Sequence, residues 1–158
     1  MTAARQLAAF LAKFDPAVAA QARRALAVMR RRCPGAHELV YDNYNALAIG
    51  FGPSERASDA VFSIAVFPRW VSLFFFEGAS LPDPDKRLRG SGKAVRHVVL
   101  VDATVIEEPA VRALIAAALA RADPPIDPRA RRRLVIKSVS ARQRPRRSAP
   151  GVRTGRRG

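Results

Sequence analysis

The runs Ala60-Val-Phe-Ser-Ile-Ala-Val-Phe67 and Val71-Ser-Leu-Phe-Phe-Phe76, separated by Pro68-Arg69-Trp70, decide the fold class. Both are rich in β-branched and aromatic residues. Each is of strand length and too short for a buried helix. A link of two or three residues between them predicts a hairpin. Both are close to fully apolar, so one face meets helices and the other is at least partly covered. Upstream, Glu38 to Tyr44 and Ala46 to Phe51 have the same texture, and Pro53-Ser-Glu-Arg56 separates them from the first run. Downstream, His97 to Asp102 repeats it after Gly78 and a long polar link. The spacing predicts a meander of antiparallel strands, with Leu134 to Val139 as a last, edge strand.

Helices flank this block. Leu7, Phe10, Leu11 and Phe14 recur at helical spacing within Ala3 to Phe14. Asp15-Pro16 reads as an N-cap followed by proline at the first helical position. The helix it opens has Val18, Ala22, Ala25, Leu26, Met29 and Cys33 on its apolar face, and Pro34-Gly35 stops it. A third helix begins at Glu107 or Glu108, with Pro109 in its first turn and two carboxylates at its positive end. Its buried stripe is Val111, Leu114, Ile115, Ala118 and Leu119, and Asp123-Pro124-Pro125 ends it. Two helices, a run of strands and a further helix predict an α+β fold. The expected architecture is an antiparallel sheet of five to six strands with N-terminal and C-terminal helices on one face.

The 158 residues fit one domain. A hydrophobic fraction of 49% excludes a wholly disordered chain. The longest apolar runs, such as Ala113 to Ala120, fall far short of the ~20 residues of a spanning helix, so no membrane is expected. The lone Cys33 excludes an internal disulfide and a cysteine-only zinc site. That composition suits a reducing, cytoplasmic setting. Met1 to Phe14 is too short and interrupted for a secretory signal, while its acid-free amphipathic pattern leaves an organelle transit peptide open.

The net charge of +15 is uneven. Residues 1–120 hold 15 basic and 11 acidic residues, whereas the last 38 hold 13 and 2. Residues 1–140 therefore read as the domain and 141–158 as a basic tail too poor in apolar surface to fold alone. Its Arg142, Arg144, Arg146 and Arg147 are candidates for neutralising phosphates in weak, non-specific nucleic-acid binding. The competing reading is a solvated terminus, since arginine outnumbers lysine 24 to 4 throughout the chain. No aromatic residue follows Phe76, so the tail brings no stacking platform of its own.

Two clusters in the body carry polar chemistry. Between the fourth and fifth strands, Gly90, Ser91 and Gly92 permit a turn in which backbone N–H groups converge. Lys93, Arg96 and His97 follow them, and Lys86, Arg87 and Arg89 precede them. Small residues among cations suggest a site for a small anionic ligand; a solvated basic turn is the alternative. The segment is no P-loop, because Arg87 and Ala94 stand where that motif needs glycine and a hydroxyl residue. The second cluster is Tyr41, Asp42, Tyr44 and Asn45, whose hydroxyls, carboxylate and amide could line a pocket or simply end a strand in a turn. Trp70 beside Arg69 reads as hairpin packing, with ligand stacking as the alternative.

Catalysis finds little support. Cys33 lies at a helix C-terminus, whose dipole disfavours a thiolate. Ser63 and Ser72 lie inside strands, and the two histidines, His37 and His97, show no metal-binding spacing. No catalytic residue, metal or cofactor is assigned.

Val40-Tyr-Asp-Asn-Tyr-Asn-Ala-Leu-Ala-Ile-Gly-Phe-Gly-Pro53, Phe67-Pro-Arg-Trp-Val71, Leu81-Pro-Asp-Pro84, Gly90-Ser-Gly-Lys93 with Arg96-His97, and Leu134 to Arg147 together resemble the YdhG-like family, domain of unknown function 1801. The resemblance spans roughly residues 5 to 147. It implies a frataxin-like arrangement of helices on a sheet, and it carries no assigned reaction. Some members are labelled iron chaperones. That role transfers poorly, because frataxin-like proteins hold iron on acidic residues of the first helix, and Met1 to Phe14 contains none. The functional expectation is a non-enzymatic module, monomeric or homodimeric, that binds a small anion or a partner. The alternatives are a nucleic-acid-associated protein and an iron chaperone.

Overall fold

A computed structural model describes residues 1–147. The elements are α1 (Ala3–Ala12), α2 (Pro16–Arg32), β1 (His37–Asp42), β2 (Leu47–Gly52), β3 (Phe62–Val66), β4 (Val71–Phe75), β5 (Arg96–Leu100), α3 (Pro109–Arg121) and β6 (Leu134–Val139). They form one six-stranded sheet in the order β5-β4-β3-β2-β1-β6. The fold is α+β, as the texture of the sequence predicts.

Consecutive strands β1 to β5 pair antiparallel, each with the next. The sheet departs from the expected all-antiparallel form at one place. The edge strand β6 runs parallel to β1. Topology accounts for this. A 3-10 turn (Ala103–Glu107) and α3 return the chain from the end of β5 to the opposite end of the sheet before β6 starts. The crossover thus links the two edges of the sheet and starts β6 at the end where β1 also starts, so the two run in the same direction.

Alternation along the strands decides what is buried. Val40, Leu47, Ile49, Phe51, Phe62, Ile64, Val66, Val71, Leu73, Phe75, Val98 and Leu100 belong to the same core cluster as the apolar stripes of the helices. Phe51, Phe62 and Phe75 are register neighbours across β2, β3 and β4, and all three are fully buried. The Phe62 and Phe75 rings meet edge to face at 5.6 Å, a favoured aromatic geometry. Asp15 and Pro16 begin α2 as expected, although the Asp15 side chain makes no capping bond. Glu107 and Glu108 do more than face a helix dipole. Glu107 pairs with Arg31 and Arg32 of α2, and Glu108 with Arg87 at 2.7 Å.

The register also sorts the connections. The β1–β2 turn, the β3–β4 turn and the end of β6 lie at one end of the sheet. The link into β5 that carries Gly90 lies at the other.

Candidate functional site

The Gly90–His97 segment is held largely by its own backbone. The Asp83 carboxylate accepts bonds from the Arg87 and Leu88 N–H groups at 2.8 and 2.9 Å. Arg89 and His97 exchange backbone bonds at 2.8 and 2.9 Å. Gly90 adopts φ +121°, a conformation open to glycine. The polarity of the turn is the reverse of an anion nest. The Arg96 guanidinium donates to the Gly92 and Val95 carbonyls at 2.6 and 2.8 Å, so carbonyl oxygens converge on a cation that the loop already owns. Ser91, Gly92 and Lys93 are exposed. His97 stacks on Phe74, with ring centres 5.0 Å apart. Burial, with Arg89 nearby, holds its imidazole below the usual histidine range.

Tyr41, Asp42, Tyr44 and Asn45 sit at the far end of the sheet from this loop. Strands of five to six residues put the two clusters about 15–20 Å apart, so they do not share a site. What meets the second cluster is the chain beyond β6. The main-chain oxygen of Asp42 accepts from the Ser140 N–H at 2.9 Å and from the Gln143 amide at 3.0 Å. The Arg144 N–H donates to the Tyr44 carbonyl at 2.9 Å. Arg146 then turns inward. Its guanidinium donates to Asp42 Oδ1 at 2.9 Å, to the Asn43 carbonyl at 2.5 Å and to the Tyr44 carbonyl at 3.3 Å. It lies over the Phe14 ring at 5.5 Å. Lys13 Nζ stands 3.7 Å from the other Asp42 oxygen. Arg147 donates to the Ala12 and Lys13 carbonyls, each at 3.1 Å, and so covers the C-terminal end of α1.

These contacts correct the reading of the tail. Residues 141–147 form a strap across the β1–β2 turn and belong to the domain. Arg146 is 5% exposed and Asp42 1%. Neither is available to a phosphate or to a pocket ligand. Arg142 and Arg144 face outward, while exposed Arg147 is bonded to α1. The expected disorder of the remaining stretch, 148–158, lies outside the described residues. Tyr41 is likewise set apart from Asp42. Its buried hydroxyl has no partner among the described residues, and burial raises its pKa.

The same end of the sheet carries a different constellation. A cleft of about 540 Å³ is lined by Asn45, Phe67, Pro68, Arg69, Trp70, Arg144 and Pro145. Two hairpin turns form one wall and the strap the other. Trp70 stacks on Phe67 at 4.6 Å and 17°, which is the expected hairpin packing, yet remains 43% exposed. Arg69 and Arg144 are exposed. Among the described residues neither guanidinium makes an ion pair; Arg144 lies over the Tyr44 ring at 5.8 Å. Of the residues selected from sequence, Asn45 and Arg144 meet here. Sequence reasoning missed that Arg69 and Trp70 join them. Alternate turns of a meander share one end of the sheet, which was the available signal.

The buried Cys33 is an unsuitable nucleophile, since burial pushes its thiol up to about 12. No group of three or more metal-ligating side chains occurs among the described residues. No described helix is long and apolar enough to cross a membrane. Comparison of the chain with protein-family models, curated proteins and solved structures finds no match.

Proposed function

We propose that this chain is a non-enzymatic, cytoplasmic module of YdhG-like type whose ligand is anionic. Its site is the cleft between the two hairpin turns and the strap. One observation carries this reading: Arg69 and Arg144, far apart in sequence, line one cleft, and neither is paired with a carboxylate among the described residues. Arginine presents a planar array of donors suited to phosphate or carboxylate. The Gly90 loop is the weaker candidate, because its Arg96 already bonds to loop carbonyls.

Trp70 is the only tryptophan, so intrinsic fluorescence reports on the cleft directly. Titration with inorganic pyrophosphate is expected to give a saturable change. The change should vanish in Arg69→Gln/Arg144→Gln and persist in Lys93→Ala/Arg96→Ala. The opposite pattern would return the site to the Gly90 loop. No change in the wild-type protein would end the anion reading.

A further inference from the structure

Building on the proposed anion site, we infer that the cleft takes a nucleotide unit of single-stranded nucleic acid, with the base on Trp70 and the flanking phosphates on Arg69 and Arg144. A simple anion site needs donors and cations. It has no use for a large aromatic surface held open to solvent. Here the indole is backed by Phe67, so the platform is fixed by the hairpin. It keeps 43% of its surface exposed in a cleft that Arg69 and Arg144 also line, neither of them ion-paired among the described residues. Stacking platforms beside backbone-tracking cations are how proteins hold unstacked bases. A duplex keeps its bases stacked on one another and would leave Trp70 unused.

The remaining lining agrees with this ligand. Asn45 supplies an amide that can donate to or accept from a base edge. Pro68 and Pro145 are stiff walls with restricted backbones. The volume of about 540 Å³ falls in the usual range for small-ligand sites, about 300–1,000 Å³. The exposed Arg142 lies two residues before Arg144, and the sequence continues through Arg147, Arg153, Arg156 and Arg157, with a net charge of +15 for the chain. That excess favours a polyanion over an isolated small anion.

The test uses the full chain and four probes: labelled octathymidylate, an abasic octamer of equal charge, thymidine monophosphate and inorganic pyrophosphate. Anisotropy gives the affinities and Trp70 fluorescence the site. Octathymidylate is expected to bind and to quench Trp70. Trp70→Ala should weaken it about 5- to 150-fold, the usual span for losing one stacked base, and leave the abasic octamer unchanged. Trp70→Phe, which keeps a ring on the hairpin, should recover part of the loss. Arg69→Gln/Arg144→Gln should weaken both octamers and remove about sevenfold of the wild-type loss between 50 and 200 mM salt, as for two phosphates on a single strand. Equal binding of the two octamers with no effect of Trp70→Ala would overturn the nucleotide reading while leaving an anion site. Pyrophosphate binding without octathymidylate binding would do the same. Monophosphate binding as tightly as the octamer would overturn the strand and assign the cleft to a free nucleotide. Failure of all four probes would remove both readings.

Discussion

The Gly90–His97 loop and the 141–147 strap are both short, cation-rich and set among glycine or proline, yet they end in opposite states. The loop satisfies its arginine locally, through carbonyls within four residues of Arg96. The strap pairs Arg146 with a carboxylate 104 residues away. The loop's cations otherwise face solvent, whereas Arg146 is as buried as a core residue. The difference lies in what each segment meets. The strap passes over the end of β1, where Asp42 sits on the helix-facing side of a buried strand and needs a counter-charge. No such demand exists beside Gly92, whose Cβ position has nothing within 4 Å.

Removing the strap's arginine is the strongest way to break this contrast. Arg146→Met leaves Asp42 buried with Lys13 as its remaining cation. The expected loss is about 3 kcal/mol, near the low end for breaking a buried pair because Lys13 stays. That is about 10 °C in Tm for a domain of this size. Asp42→Leu/Arg146→Met should recover much of the loss, since removing both charges removes the unpaired one. Arg132→Gln is the control. Arg132 is partly exposed, and Glu38 would keep its two 2.8 Å bonds to Arg30, so the effect should stay under about 1 kcal/mol. A loss for Arg146→Met no larger than for Arg132→Gln, measured by urea unfolding, would mean that the strap adds nothing to the domain.

Two glycines sharpen the comparison on the loop side. A Cβ at Gly78 would lie 2.5 Å from the Cβ of Arg96, where β5 begins. Gly78→Ala should cost about 1–3 kcal/mol, as overpacking does. Gly92→Ala meets open space and should stay within about 0.5 kcal/mol of wild type. The loop would then be anchored at its root and free at its tip. Comparable losses at both positions in thermal unfolding would contradict that division.

Much of the fold was legible because strand texture and helix spacing are local. Ala60–Phe76 announced its hairpin, and Asp15-Pro16 announced the start of α2. The direction of β6 was not legible, because Leu134–Val139 carries no mark of its partner. Direction follows from the α3 crossover, a property of the whole chain. The strap was hidden for a related reason. Arg142–Arg147 looks like a solvated charge run until its contacts are known. One sign was present in β1 itself. Glu38 and Asp42 are carboxylates four apart on a strand whose other helix-facing residue is Val40, so both fall on the buried face. Both therefore require cations: Arg30 of α2, with Arg132 beside it, serves Glu38, and Arg146 of the strap serves Asp42. The cleft was half legible, since the meander sets the turns holding Asn45 and Trp70 at one end, but its second wall depends on the strap.

The smallest expected effect concerns His97, at the junction of loop and sheet. Burial against Phe74 and the nearby Arg89 charge disfavour the imidazolium in the folded protein. A base whose folded pKa is depressed binds fewer protons folded than unfolded. Its contribution is therefore complete above the unfolded value of about 6.5 and is lost as pH falls through the lower folded value. Wild type should lose stability relative to His97→Gln between about pH 7 and 5, by less than about 1 kcal/mol because the ring is partly exposed. The carboxylates common to both proteins cancel in the difference. The loss should concentrate where Arg89 and His97 exchange backbone bonds, so those two amides should exchange hydrogen faster at pH 5 in wild type, relative to His97→Gln after correction for intrinsic rates. The strap amide of Arg144, at the far end of the sheet, should show no such difference. Parallel pH curves for the two proteins would show that His97 titrates alike folded and unfolded, and that the root of the loop carries no pH sensitivity of its own.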